Sequence, residues 1–468
     1  MTPTPADPPR AAADRLAGLP VAVIGAGPVG LAAAAHLRER GLPVVVLEAG
    51  SDAGAAVRTW AHVRMFSPWS AVVDDAAARL LAPTDWVLPA GAAPTGAELV
   101  ARYLVPLAAT PELAAVIRYG ARVEAVSREG MDRSRSAGRA DAPFLLRVRT
   151  PAGVEHVRAR AVVDASGTTG TPNPLTAAGL DPTTDLGDRI VGAFPDVRGR
   201  DRARFAGRRV LVVGAGHSAA TAVIALARLA EEAAGTTVAW LVRTPRAARL
   251  APDAADELVG RGQLGTRVHR LVAEGRVEHL TGVEIDDVQV DGDGVRVAGR
   301  RGGERFATTA DVVVQATGSR PDLAMLREVR LALDDVVEAP RALAPLIDPQ
   351  LHSCGSVPPH GAAELAHPEP GLFVAGMKSY GRAPTFLLLT GYEQVRSIAA
   401  ELAGDRAAAR EVRLVLPSTG VCSTDVPDDD VDAVPSPRGR DLLAVGAPAA
   451  TSGAPAATSG ASSGGCCA

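Results

Sequence analysis

Two short glycine-rich turns constrain this chain more than any other feature. Gly25-Ala26-Gly27-Pro28-Val29-Gly30 follows the apolar run Val21-Ala22-Val23-Ile24, and Gly214-Ala215-Gly216-His217-Ser218-Ala219 follows Val210-Leu211-Val212-Val213. A short apolar run ending at glycine reads as a buried strand. After the first turn, Leu31 to Arg40 has helical character and stops at Gly41, and Val44 to Leu47 reads as the next strand. After the second, Ser218 to Ala234 reads as a helix and Val238 to Val242 as a strand. Each set is a βαβ unit, so the sequence predicts an α/β fold built on parallel, doubly wound sheets.

The small residues in each turn have separate physical tasks. The first permits the tight turn, the second lets the backbone approach a pyrophosphate, and the third lets the helix pack close to the strand. The helix N-terminus then offers free N–H groups to the phosphates. Gly25, Gly27 and Gly30 are therefore expected to cradle one dinucleotide, and Gly214, Gly216, His217, Ser218 and Ala219 a second, in two Rossmann-like domains. The strands that follow end in opposite charges. Glu48, 23 residues after Gly25, suits ribose hydroxyls and would repel a 2′-phosphate. Arg243, with Arg246 and Arg249 close behind, suits the 2′-phosphate of NADPH.

Two further segments echo each other, Ala161-Val162-Val163-Asp164-Ala165-Ser166-Gly167 and Val312-Val313-Val314-Gln315-Ala316-Thr317-Gly318, and they flank the second unit. The simplest topology is one domain interrupted by another. Residues 1–18 form a flexible leader, 19–205 and 305–405 the first domain, and 206–304 the inserted one. The segment 417–468 contains an acidic stretch and a tandem APAATSG repeat, composition that cannot bury a core, and is expected to be a disordered tail.

Bulk properties exclude several classes of function. A net charge of −4 gives no broad attraction to nucleic acid or to an anionic membrane. No apolar run reaches the ~20 residues that span a bilayer. The first 18 residues lack the basic start and apolar stretch of a signal peptide, so a cytoplasmic location is expected. Four cysteines in 468 residues make no disulfide scaffold, and no CxxC or CxxxxC redox pair is present.

With two such fingerprints and glycine turns flanking the second, residues 19–405 resemble the flavin-containing monooxygenases and the wider pyridine-nucleotide flavoprotein group. The resemblance implies FAD in the first site, NADPH in the second, and hydride transfer between them. It also implies that Ala316-Thr317-Gly318 is the element at the domain crossover. By the same resemblance, Gly371-Leu372-Phe373-Val374-Ala375-Gly376 brings Gly376 close to the flavin. Arg58 and Trp60 fall where the family carries a basic and aromatic pair near the isoalloxazine. Two departures stand out. The FxGxxxH element is absent, the region reading Phe194-Pro195-Asp196-Val197-Arg198-Gly199-Arg200, and Met377-Lys378 replaces a frequent aspartate.

The last residues, Cys466-Cys467-Ala468, are similar to the vicinal cysteine terminus of mercuric reductases. Adjacent thiolates can capture a soft metal or metalloid ion. Cys354 is a candidate third thiol and catalytic residue, and three thiolates suit arsenite, which points to arsenic resistance. His352, His360 and His367 match no standard zinc spacing, and Cys422 is assigned no role. The expected substrate is a small molecule or metalloid. The reading is an NADPH-dependent monooxygenase-like flavoenzyme acting on a thiophilic compound. Its alternatives are a metal or metalloid reductase, or a slow flavin redox sensor.

Overall fold

The computed structural model describes residues 15–244, 259–349, 357–384 and 386–414. In chain order the strands of the first half are β1 (Val21–Ile24), β2 (Val44–Leu47), β3 (Ile117–Arg118), β4 (Arg122–Arg128), β5 (Phe144–Thr150), β6 (Gly153–Ala159) and β7 (Ala161–Asp164). Those of the second are β8 (Ile190–Val191), β9 (Arg209–Val213), β10 (Thr237–Leu241), β11 (Glu278–Leu280), β12 (Val283–Asp291), β13 (Gly294–Arg301), β14 (Glu304–Ala310) and β15 (Val312–Gln315), and β16 (Leu372–Val374) comes last. The longer helices are α1 (Pro28–Glu39), α2 (Asp75–Leu81), α3 (His217–Glu232), α4 (Val259–Ala273) and α5 (Leu388–Leu402).

The strands form two parallel five-stranded sheets, ordered β16-β7-β1-β2-β3 and β11-β10-β9-β15-β8. Each is accompanied by an antiparallel three-stranded sheet, β4-β5-β6 in the first case and β12-β13-β14 in the second. The alternation of side chains along each strand shows why both faces of the sheets are apolar. Val21, Val23, Val44, Val46 and Val163 pack on the side of α1 and α5, with Leu31, Leu37, Val395 and Ile398. Ala22, Ile24, Leu47 and Val162 pack on the other side against Val126, Phe144, Leu146 and Val148 of the small sheet. The second half repeats the plan. Val210, Val212 and Trp240 face α3, while Leu211, Val213 and Leu241 face Val283, Ile285 and Val297.

The expected βαβ units form, with shifts at their ends. Helix α1 begins at Pro28 rather than Leu31, because proline is suited to the first helical position, where no N–H is needed. It ends at Gly41, whose φ of 72° allows Leu42 N–H to reach Leu37 O at 3.0 Å.

Strand pairing corrects the expected crossings at 205/206 and 304/305. Strand β15 pairs with β9 and β8, so residues 305–315 belong with the second half, and β8 at 190–191 also joins the second sheet. The chain leaves the first sheet after β7 and returns to it after β15, through Ala165-Ser166-Gly167 and Ala316-Thr317-Gly318. The two linkers run side by side: Pro172 and Ser319 form an antiparallel bridge, Asn173 N–H donates to Gly318 O at 2.9 Å, and Arg320 N–H to Thr171 O at 3.0 Å. The echoing segments identified the crossings better than the proposed boundaries did. Residues 1–14 and 415–468, and with them most of the leader and the tail, lie outside the described residues. No described helix is long and apolar enough to cross a membrane.

One buried ionic cluster ties β4, the approach to β16 and the loop after the second crossing together. Glu369 receives Arg128 Nε at 2.7 Å, Arg139 Nε at 2.9 Å and the Arg330 N–H at 3.1 Å, with all three charged side chains almost fully enclosed. Burial alone would raise the Glu369 carboxyl, but the hydrogen bonds from Arg139, Arg128 and Arg330 hold it below the usual carboxylate range. A carboxylate with a depressed folded-state value stabilises fully at neutral pH, and its contribution is lost as pH falls through that value. Glu369→Ala, which strands two buried guanidinium groups, is expected to cost about 3–5 kcal/mol. Thermal and acid unfolding of the variant and the parent check both statements: the parent should lose stability towards acid over a range in which the variant is flatter.

Candidate functional site

Both glycine turns lie at the carboxyl ends of their sheets, where parallel α/β proteins bind ligands. At the first, Gly25 has φ of 100°, and a β-carbon there would lie 3.0 Å from Ala165 O. A β-carbon on Gly30 would lie 2.0 Å from Gly25 O, so only glycine lets α1 pack this tightly. A β-carbon on Gly27 would meet nothing within 4 Å, which leaves that stretch of backbone open to a ligand. The first backbone bond of α1 runs from Leu31 N–H to Gly27 O at 3.0 Å, so the N–H groups of Val29 and Gly30 have no partner within the helix.

Glu48 stands where the charge argument requires. Its Oε2 accepts the Ala26 N–H and its Oε1 the Gly50 N–H, each at 2.6 Å. The carboxylate thus fixes the glycine turn, and each oxygen keeps a lone pair for a ribose hydroxyl. These features fit the adenosine and pyrophosphate portions of FAD.

The second turn repeats the geometry. Gly214 has φ of 137°, and a β-carbon there would lie 2.0 Å from Ala316 O. Gly216 is open, and the buried Ala219 supplies the third small residue. Trp240 Nε1–H donates to Gly214 O at 2.7 Å, and its indole stacks on His279 at 4.3 Å. His217 opens α3 with Ser218 beside it, and Phe66 of the first half packs edge-on against the His217 ring at 5.4 Å. Arg243 is exposed just beyond β10 and has no acidic partner among the described residues, so its guanidinium is available to a phosphate. Arg246 lies outside the described residues.

Gly318, φ 86°, sits in the clasp of the two linkers. Asn173 O accepts from Gln315 Nε2 at 2.8 Å and Thr317 Oγ1 at 2.5 Å, and Asn173 Nδ2 donates to Thr317 O at 3.2 Å. Gly376, φ 70°, donates its N–H to Gln394 Oε1 at 2.8 Å and faces the Val29 side chain of the first nucleotide helix. Gln394 Nε2 also contacts His360 Nε2 at 3.0 Å, while His360 Nδ1 bonds Pro358 O at 3.0 Å. Burial holds His360 below the usual histidine value. With Nδ1 donating to the carbonyl and Nε2 accepting from the amide, this is a neutral, structural imidazole. His367 Nδ1 accepts the Ala332 N–H at 3.3 Å, and burial lowers it to about 4. Both rings serve the fold, and no metal cluster occurs among the described residues.

Arg58 is exposed and paired with Asp52 at 2.8 Å, and Trp60 is half-buried against Gly96, on the segment that follows β2. Cys354, Cys422, Cys466 and Cys467, together with His352, lie outside the described residues.

The sequence reading missed one cluster. Lys378 Nζ reaches Asp164 Oδ2 at 2.6 Å and Ser166 Oγ at 3.0 Å, and Ser166 Oγ–H donates to Asp164 Oδ1 at 2.6 Å. The lysine and aspartate side chains are buried, and Ser166 is exposed on the first crossing turn. The available signal was that Lys378 is the only lysine among 49 basic residues.

Residues 22–342 match the pyridine nucleotide-disulphide oxidoreductase family, and the chain belongs to it. It is accordingly an oxidoreductase that depends on FAD and a nicotinamide nucleotide. The bacillithiol disulfide reductase of Bacillus cereus is similar in fold, with a TM-score of 0.60 at 19% identity over 84% of this chain and 99% of that one. So is the cadaverine monooxygenase of Erwinia amylovora, bound to FAD, with 0.59 at 14% over 87% and 99%. A flavin monooxygenase mutant from Stenotrophomonas maltophilia gives 0.53 at 23% over 82% and 98%. No curated protein sequence matches.

The glycine geometry yields a sharp expectation. Gly30→Ala should purify with little bound flavin, because its methyl group would displace the turn carbonyl. Ala219→Gly should retain nucleotide binding at the second site and cost no more than about 1 kcal/mol of stability. Flavin absorbance per protein and NADP(H) titration distinguish the two.

Proposed function

We propose that this chain is an NADPH-dependent flavoprotein monooxygenase, with FAD at the turn containing Gly25, Gly27 and Gly30 and NADPH at the turn from Gly214 to Ala219. The carrying observation is the pair of similar turns in which one is followed by Glu48 and the other by Arg243, which has no acidic partner among the described residues. A carboxylate selects vicinal hydroxyls and a guanidinium selects a 2′-phosphate, so the two dinucleotides are kept apart by charge. When bound, the flavin supplies the hydride and oxygen chemistry. The chain's own groups bind the two pyrophosphates, fix the turns through Glu48 and Trp240, and hold the crossing linkers through Asn173. Among the neighbours of similar fold are a disulfide reductase and monooxygenases. The lack of a CxxC or CxxxxC pair supports the monooxygenase branch.

Arg243→Ala should weaken NADPH by about tenfold or more while leaving NADH nearly unchanged, as expected for one lost charge-assisted contact. Equal losses for both, measured by stopped-flow flavin reduction, would count against the 2′-phosphate assignment.

A second reading is favoured by the Cys466-Cys467-Ala468 terminus alone. In it, reducing equivalents pass to a thiophilic metal or metalloid such as an arsenical, or such a compound is itself oxygenated. One experiment separates the readings: the NADPH-reduced protein is mixed with oxygen, or anaerobically with mercuric ion or arsenate. Rapid oxygen uptake, with a transient absorbance distinct from reduced and oxidised flavin, is the expected result. Slow uptake with rapid anaerobic reoxidation that disappears in C466S/C467S would replace it with the reductase. Flavin reduction far slower than ~1 s⁻¹ would instead indicate a redox sensor.

A further inference from the structure

A cleft of about 590 Å³ lies between α3, α4 and two loops, residues 62–66 from the first half and 193–198 from the approach to β9. None of the residues assigned to either nucleotide lines it. Its wall on α3 is Thr221, Ile224, Ala225 and Arg228, one stripe at helical spacing. The opposite face, Ala219, Val223 and Leu226, is committed to the core. The floor is apolar and incompletely covered: Met65, Phe66, Phe194, Ile224 and Leu264 are all half-buried. The Phe66–His217 contact closes the end nearest the second turn.

The rim carries a different chemistry. Arg64, Arg198, Arg228 and Arg267 line the cleft, against one carboxylate, Asp196. Arg198 pairs with Glu232 at 3.1 Å, and Arg64 bonds Ala93 O. Asp196 is oriented toward its own turn, where Oδ2 accepts the Arg200 N–H at 3.3 Å. Arg228 and Arg267, exposed on facing helices, have neither an acidic partner nor a hydrogen bond among the described residues. An apolar floor of this size suits a drug-sized organic molecule rather than a bare inorganic ion, and two unpaired guanidinium groups suit its carboxylate.

We propose that this cleft binds an organic acid, a carboxylate on an apolar or aromatic body, at a site separate from both dinucleotides. The body lies against Phe66, Phe194 and Ile224, and the carboxylate is held between Arg228 and Arg267. The site follows from the cleft alone and does not depend on how the reduced flavin is consumed.

The test uses the FAD-loaded, full-length protein and 2-naphthoate as the probe, followed by calorimetry, with 2-naphthamide as its neutral counterpart. The acid should bind about tenfold tighter than the amide or better. R228M/R267M should remove that preference, R122M, an exposed arginine elsewhere, should keep it, and saturating NADP⁺ should leave it in place. Equal affinity for acid and amide, absence of binding, or a preference that survives in R228M/R267M overturns the proposal. Competitive displacement by NADP⁺ also overturns it, because the cleft would then be part of the nucleotide site. Flavin content and thermal unfolding of each variant establish that it is folded.

Discussion

At Gly214 a β-carbon would stand 2.0 Å from the carbonyl oxygen of Ala316, and at Gly25 it would stand 3.0 Å from that of Ala165. Those carbonyls belong to the two turns through which the chain passes between its sheets. The nucleotide turns and the crossings therefore occupy the same narrow space at the sheet ends, and glycine is what lets them share it. Other features follow from this contact. The two linkers must lie side by side, which the Asn173 clasp secures, and the helix that follows each glycine turn must start beside a crossing. A nucleotide at either turn would sit next to a segment whose movement is felt in the other half.

The local parts of this arrangement were legible in the sequence, because each depends on near neighbours. The strand–turn–helix units, the glycine spacing, Glu48 and Arg243 are properties of short windows. Sheet membership is not. The strands Ala161–Asp164 and Val312–Gln315 have the same length and nearly the same composition, yet one joins the first sheet and the other the second. That choice is made by partners far away in sequence, and an apolar run of four residues carries no signal for it. The same limit hid the bond between Lys378 and Asp164, which joins residues that periodicity treats as unrelated.

Charge is used differently at the surface and in the interior. Most ion pairs are exposed arginines with acids, which stabilise little individually. Among the described residues, the two most deeply enclosed clusters both lie where β16 comes into the first sheet. Glu369 with Arg128 and Arg139 precedes the strand, and Lys378 with Asp164 follows it. Strand β16 is only three residues long and sits at the sheet edge, where β7 is its only strand partner and a single bridge to Ala366 flanks its other side, so its backbone bonds give it little hold. An enclosed ion pair contributes uncertain net stability, but breaking one partner is costly, which makes it an effective means of fixing register.

The single lysine is intelligible in these terms. Arginine offers a planar fork that demands a wide acceptor, whereas an ammonium group is a compact charge with three donors. The space between Asp164 and the Ser166 hydroxyl is a two-acceptor corner, with the serine in turn bonded to the same carboxylate. A guanidinium placed there would have further N–H groups to satisfy in a fully enclosed position. The ring formed by Lys378, Asp164 and Ser166 instead closes on itself and reaches the surface only at Ser166, on the turn beneath Gly25. The late strand is thereby tied to the crossing turn that supports the first nucleotide turn, so anything that tightens this turn also fixes the start of the segment leading to α5.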